Sequence, residues 1–202
     1  GLRAAHSPEP ARIPPPEQPP TRQVYPKDLE QVHLVLGTYG LPCHSPDRYT
    51  LLLLNLVLGG NMSSRLFQEI RERQGLAYSV GSDCSAYADS GSLTISLGVD
   101  RRSVNQVIGA IRREVTRLTR EAPPAAELQN AKEYAKSGLY LAADNMEARM
   151  LRLARNELCF GREISLEEAV AGLQQVSAPA VTALASSLFD ERELSMVALG
   201  PV

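Results

Sequence analysis

The stretch "SSRLFQEIRERQGLAYSVGS", from Ser63 to Ser82, changes abruptly from one periodicity to another. The apolar residues of its first half recur at the spacing of one helix face: Leu66, Phe67 and Ile70. Gly75 is expected to end this helix, because glycine lets a chain turn sharply. A short apolar strand containing Tyr78 follows at once. The stretch therefore predicts a helix over about residues 64–74 that turns directly into a strand.

Downstream, residues 76–99 predict two strands joined by a turn. Residues 103–120 carry apolar side chains at helical spacing, with charged residues on the other face. The segment "APPAAEL" begins a helical pattern that runs to Phe160 with a break near Ala143, and two further helical segments occupy residues 166–188. A last strand, "ELSMVALGPV", closes the chain.

Upstream, the segment "QVHLVLGTYG" alternates apolar and mixed residues from Gln31 and predicts the first strand. The next segment, "HSPDRYTLLLLNLVLGG", predicts a helix that is apolar on most faces and is therefore buried. Ser45 is its expected N-cap and Pro46 suits its first turn. Gly59 is its expected left-handed exit.

The order of strand, helices, hairpin, long helices and strand predicts an α+β domain. We expect a largely antiparallel sheet with helices packed on one face, spanning residues 31–202. Residues 1–30 form a proline-rich segment, since eight of the fourteen prolines lie in the first twenty-six positions. Proline cannot join the interior of a helix or sheet, so this segment is expected to be an extended inter-domain linker.

The composition argues against several classes of function. A formal net charge of -2 gives no electrostatic reason to bind nucleic acid or an anionic membrane. No apolar run approaches the roughly 20 residues that span a bilayer. The three cysteines, at positions 43, 84 and 159, are odd in number and far apart, which indicates buried free thiols. Free thiols favour a reducing compartment such as the cytoplasm, although the location stays open.

The residues alone do not indicate a catalyst. The three histidines, His6, His33 and His44, show no spacing that would place two imidazoles on one helix face toward a metal. There is no Gly-x-Ser-x-Gly motif, and many carboxylates lie beside arginines as expected for surface ion pairs. A purely structural interpretation makes Arg71 a partner of the helix dipole and Tyr78 a strand residue with one side in the core.

The longer segment "LVLGGNMSSRLFQEIRERQGLAYSVGS" strongly resembles the C-terminal half of the pitrilysin, insulysin and mitochondrial processing peptidase family of zinc metallopeptidases. The resemblance continues through "SGSLTISLGV" and "MVALGP" and covers residues 31–202. It implies a half-domain of that family's fold, joined by an extended linker to a similar N-terminal half. The first residue is Gly1, so we take the chain for part of a longer protein.

In this family the N-terminal half carries zinc on an H-x-x-E-H motif, and the C-terminal half contributes an Arg and a Tyr that point at the peptide. The resemblance therefore implies that Arg71 and Tyr78 bind substrate, and that this chain supplies no catalytic or metal-binding residue. The helix corresponding to the zinc-bearing one, "YTLLLLNLVL", has no His and no Glu. Residues Ser63 to Arg65 are expected to be architectural.

The favoured function is the substrate-binding, non-zinc half of a zinc endopeptidase that hydrolyses peptides or unfolded polypeptides and is inactive alone. Its expected partners are a catalytic N-terminal-type half with its zinc and a peptide substrate, and a dimer is left open. One alternative is a non-catalytic scaffold or partner subunit of the same family. A further alternative is a free-standing peptide-binding module.

Overall fold

The computed structural model describes residues 19–189 and 194–201. Its centre is a five-stranded sheet in the order β1-β5-β2-β4-β3. The strands are β1 (Arg22–Pro26), β2 (Val32–Tyr39), β3 (Ala77–Ala86), β4 (Gly91–Val99) and β5 (Ser195–Gly200). Neighbouring strands are antiparallel except for β1 and β5, which run parallel. The predicted α+β class with a largely antiparallel sheet is confirmed.

Six α-helices accompany the sheet within the described ranges. They are α1 (Arg48–Leu58), α2 (Val104–Arg120), α3 (Ala125–Asp144), α4 (Met146–Phe160), α5 (Leu166–Gln175) and α6 (Ala178–Leu188). A π-helical segment (Phe67–Arg73) precedes β3, and a short 3-10 turn (Arg101–Ser103) leads into α2. The break that the sequence predicts near Ala143 lies at Asn145, whose side chain accepts a hydrogen bond from the amide of Ala148 and so starts α4.

The core lies between one face of the sheet and the helices. In β2 the residues Val32, Leu34 and Leu36 are buried, whereas His33 and Val35 between them are exposed. Helix α1 is buried along most of its length, as predicted, because its leucines face both the sheet and neighbouring helices. No helix in the part of the chain that the structure describes is long and apolar enough to cross a membrane.

One strand of the sheet lies before the predicted start of the domain near Gln31. Residues Arg22–Pro26 pair in parallel with β5 at the edge of the sheet. An edge strand tolerates proline because one side of its backbone has no ladder to complete. All five residues are exposed, so no apolar alternation in the sequence marks them as a strand. The rest of the predicted linker, residues 1–18, lies outside the described residues.

The predicted ends of α1 are also wrong in detail. The helix begins at Arg48, so Pro46 precedes it, and Ser45 Oγ accepts a hydrogen bond from the amide of Asp47 in the preceding turn. Gly59 has φ -157°, which is not left-handed. It is needed for another reason, because a Cβ at this position would lie 2.7 Å from Ser82 Oγ.

Gly59 lies against strand β3. The carbonyl of Gly59 accepts a hydrogen bond from the amide of Ser82 at 3.1 Å, and Ser82 Oγ donates to Asn55 Oδ1 at 2.6 Å. The buried Asn55 thereby ties the middle of α1 to the outermost strand of the sheet. Gly59 is therefore the position at which the backbone that follows α1 contacts the backbone of β3.

Candidate functional site

The helix before β3 is wider than an ordinary α-helix. After Leu66 it continues as a π-helix over Phe67–Arg73, and its end is marked by a hydrogen bond of 3.2 Å from the amide of Gln74 to the carbonyl of Glu69, five residues earlier. The sequence predicts a regular helix of this length, so the widening is a feature that periodicity missed. Short π-helical turns are rare and often occur at functional sites.

Gly75 ends this helix as predicted. Its φ of 61° is left-handed, and a Cβ built on it would meet no atom within 4 Å, so the requirement for glycine comes from the backbone alone. The chain then enters β3 at Ala77, only two residues later.

Tyr78 lies in a β-bulge. Ala77 is opposite Val99 and Ser79 is opposite Gly98, so Tyr78 is the extra residue without a partner on β4. A bulge places consecutive side chains on the same side, and Tyr78 and Ser79 are indeed both exposed. The side chain of Tyr78 is 80% exposed, so the structural interpretation of a half-buried core tyrosine is wrong.

The structure brings the two predicted site residues together. The Cζ atom of Arg71 lies 5.2 Å from the ring centroid of Tyr78 and 4.8 Å from that of Phe67. Both distances are within the roughly 6 Å range of cation–π attraction. The guanidinium thus contacts the Phe67 ring on the helix and the Tyr78 ring on the strand. The Arg71 side chain keeps 37% of its surface exposed.

The hydrogen-bonding groups of this pair remain available. Among the described residues, the phenolic hydroxyl of Tyr78 has no hydrogen-bond partner, and the nearest carboxylate oxygen to Arg71, on Glu72, is 3.7 Å from its Nε. A guanidinium and a phenol side by side are donors suited to a carbonyl oxygen or an oxyanion. The geometry can therefore hold an acceptor on an extended backbone.

The helix that carries Arg71 is fixed to the domain by its first residues. Arg65 Nε and Nη2 donate to the two carboxylate oxygens of Glu127 at 2.8 and 2.7 Å, and its side chain is only 9% exposed. The hydrogen bonds to Glu127 raise the pKa of Arg65, so it stays fully charged. Ser64 is buried and donates to the carbonyl of Asn61 at 2.6 Å. The sequence shows no signal for Glu127 as the partner, since it lies on α3, sixty-two residues away.

At its other end the helix is held by Glu69. Its carboxylate accepts from Gln74 Nε2 at 2.6 Å and from Arg73 Nη1 at 3.2 Å, and these two bonds hold the pKa of Glu69 below its ordinary value. The side chain of Arg73 is thereby bound to Glu69. Of the two arginines in this turn, only Arg71 contacts Tyr78.

No group of three or more metal-ligating side chains lies within residues 19–189 and 194–201. His33 is exposed on β2 and His44 is exposed in the loop before α1, while His6 is outside the described residues. The three cysteines are free, as predicted, but only Cys43 is fully buried, since Cys84 and Cys159 keep part of their surface accessible.

Known proteins with similar sequences are zinc proteases by name. The chain is 42% identical over 165 residues to the "Uncharacterized zinc protease YmxG" of Bacillus subtilis, a match that covers 82% of this chain and 40% of the relative. It is 34% identical over 176 residues to an "Uncharacterized zinc protease" of Streptomyces coelicolor, with 87% of this chain and 38% of the relative covered. The chain thus spans about two fifths of the length of these relatives.

Solved structures share the fold. A "peptidase M16 inactive domain" from Pseudomonas fluorescens superposes with a TM-score of 0.83 at 22% identity, covering 94% of this chain and 46% of that one. A conserved protein from Enterococcus faecalis superposes with a TM-score of 0.79 at 25% identity, covering 91% and 42%. The sequence model described as "Peptidase M16 inactive domain" matches residues 2–134. The chain therefore belongs to the M16 peptidase family and corresponds to its inactive domain.

Proposed function

We propose that this chain is the substrate-binding half of a zinc endopeptidase that hydrolyses peptides or unfolded polypeptides, and that it is inactive alone. The observation that carries this proposal is the contact between Arg71 and Tyr78, which places a guanidinium beside an exposed phenol whose hydroxyl has no protein partner among the described residues. If Arg71 and Tyr78 had only structural roles, we would expect their polar groups to be hydrogen-bonded within the fold, or the two side chains to lie apart from each other in solvent.

The relatives support a division of labour between two halves. They are named zinc proteases and are about two and a half times as long as the aligned segment. Zinc and the activated water would come from an N-terminal-type half with the H-x-x-E-H motif. Helix α1 of this chain has neither His nor Glu to serve in that way.

Within this scheme the two residues act on the peptide. The Tyr78 hydroxyl and the Arg71 guanidinium donate hydrogen bonds to a substrate carbonyl, and the same donors stabilise negative charge as that carbon becomes tetrahedral. The cation–π contact keeps the guanidinium beside the phenol before substrate arrives, which reduces the ordering needed on binding.

The test compares this chain with a complete protein that also contains the half bearing the zinc motif. Both are assayed for stoichiometric zinc and for cleavage of a fluorogenic peptide library. We expect zinc and turnover only in the complete protein, with turnover lost on the double change Arg71→Ala, Tyr78→Phe. Cleavage or tight zinc binding by this chain alone contradicts the proposal. Full turnover in the folded double variant would instead assign the chain a scaffold role.

A further inference from the structure

A cavity lies at the other end of β3 from the Arg71–Tyr78 pair. It has a volume of about 340 Å³ and is bordered by α1, α3, α4, the start of α5 and the end of β3. Most of its wall is apolar, formed by residues such as Leu41, Leu51, Leu139, Phe160 and Ile164. Its size is near the lower end of the roughly 300–1,000 Å³ of ligand pockets, so it suits a small molecule or the end of a chain.

Three arginines also line this apolar cavity, and no Asp or Glu does. They are Arg48, Arg152 and Arg155. None of them takes part in an ion pair among the described residues, where seven other pairs form. Glu168 at the start of α5 is already bound by Arg162, with oxygen–nitrogen distances of 2.6 and 2.8 Å. The cavity wall therefore carries three positive charges and no negative one, while the carboxylates of Glu167 and Glu168 lie outside the wall within electrostatic reach of Arg152 and Arg48, respectively.

Two of these guanidiniums are held in place. Arg48 lies between the rings of Tyr49 and Phe160, with its Cζ 4.4 and 5.1 Å from their centroids. Arg152 donates to the carbonyl of Ile164 at 3.1 Å. Both arginines keep further N–H groups free. Arg48 donates only two long hydrogen bonds of 3.4 Å, and Arg152 donates only the bond to Ile164, among the described residues.

The third arginine is unrestrained. Arg155 has no hydrogen-bond or ion-pair partner among the described residues. Burial raises the pKa of the Cys43 thiol, which also lines the cavity, and the positive charge of Arg155 opposes that rise. A guanidinium that is anchored neither to the backbone nor to a carboxylate can turn toward a ligand at little conformational cost. One unrestrained guanidinium and two fixed ones beside an apolar wall match an anion joined to an apolar body.

We propose that this cavity binds a carboxylate carried on an apolar group. Such a group occurs on a free medium-chain carboxylic acid and on a hydrophobic residue at the C-terminus of a peptide. Cys84 at this cavity and Tyr78 are six residues apart on β3, which corresponds to about 20 Å along a strand. The cavity is thus a separate site, and its existence does not depend on the proposed peptidase role.

The 202-residue chain is titrated at neutral pH, by calorimetry, with four probes. They are octanoate, octanamide, and a pentapeptide ending in leucine with either a free or an amidated C-terminus. We expect at least one acid to bind saturably and about tenfold more tightly than its amide, as the loss of one charge-assisted hydrogen bond implies. Whichever acid binds identifies the source of the carboxylate.

Arg155→Gln should weaken acid binding about tenfold, whereas Arg112→Gln, at an exposed position of α2, should leave it unchanged. Arg155 makes no bond to the rest of the fold, so its variant should keep the melting temperature. If it unfolds, the comparison of acid with amide on the unaltered chain decides alone. Equal binding of acids and amides, no saturable binding of any probe, or an unaffected folded Arg155→Gln variant overturns the proposal.

Discussion

The guanidinium of Arg71 and the ring of Tyr78 meet at 5.2 Å although the two residues belong to different elements. Three irregularities lie between Phe67 and Tyr78: the π-helical segment, the left-handed Gly75 and the bulge at Tyr78 itself. A regular helix followed by a regular strand would orient these side chains differently, because a bulge reverses the alternation of a strand. The local departures from regular structure coincide at the candidate site.

Tyr78→Phe should change the free energy of unfolding by less than about 1 kcal/mol, because its exposed hydroxyl already has water as a partner. In the complete two-half protein we expect turnover to fall by about ten- to a thousand-fold, as after removal of an oxyanion donor. Tyr87→Phe is the control, since Tyr87 is 63% exposed at the far end of the same hairpin. Equal turnover in the two variants would remove Tyr78 from the site.

Arg71→Ala should destabilise the chain by about 1 to 2 kcal/mol, because it removes two exposed cation–π contacts, with Phe67 and with Tyr78. In the complete protein it should raise KM and lower kcat, since a donor to the peptide is lost. Arg73→Ala is the matched control, because Arg73 lies in the same last turn and has the same relation to the helix dipole. If Arg73→Ala impairs peptide hydrolysis as much as Arg71→Ala, the arginine acts on the helix and not on substrate.

Gly59→Ala should destabilise the fold by about 1 to 3 kcal/mol, because the new Cβ would press on Ser82. Gly138→Ala in α3 meets no atom within 4 Å and should instead stabilise by about 0.5 to 1 kcal/mol, from the better helix propensity of alanine. Urea unfolding of both variants measures the difference. Equal midpoints would show that α1 and β3 separate easily at this contact.

Burial raises the pKa of Cys43 to about 11, helped by a hydrogen bond with Cys159, and burial raises the pKa of Cys84 to about 12. Both thiols should therefore be alkylated far more slowly at pH 8.5 in the folded chain than in urea, because the thiolate is the nucleophile. Mass spectrometry of peptides after timed iodoacetamide treatment measures the rates. Equal rates in folded and unfolded chain would contradict the burial.

The same two thiols predict a pH dependence of stability. An unfolded thiol ionises near pH 8.5, so above that pH the unfolded state releases protons that the folded state retains. Their contribution to stability is complete below this pH and is lost as pH rises toward 11 and 12. The fall of the urea midpoint between pH 8 and 10.5 should be smaller in a variant with Cys43→Ala and Cys84→Ala. An identical fall of the urea midpoint in this variant would mean that groups other than Cys43 and Cys84 cause the pH dependence.

The fold class was predictable because the buried faces of α2 and β2 repeat with clear helical and strand periods. The strand β1 was not, since none of its side chains is buried and only backbone pairing with β5 defines it. The periodicity of apolar residues indicates which side chains face a core. An edge strand with no buried side chain therefore has no periodicity by which the sequence could predict it.

The sequence predicted which two residues form the candidate site, but not the backbone geometry that brings them together. Arg71 and Tyr78 followed from the resemblance to a family, while the π-turn and the bulge that join them are backbone arrangements set by packing against the sheet. The arginine-lined cavity had no signal at all. Arg48 and Arg155 are more than one hundred residues apart, and each looks like an ordinary helix-surface arginine in the sequence.

Strand β3 is the outermost strand on its side of the sheet, and such strands can recruit strands from other molecules into aggregates. The hydrogen bond from Ser82 to Gly59 occupies the middle of this edge, and the amide of Cys43 closes its far end by donating to the carbonyl of Tyr87. An approaching extended chain would have to displace both loops before a ladder could grow. The Gly59 turn thus protects the folded domain against edge-to-edge association at β3.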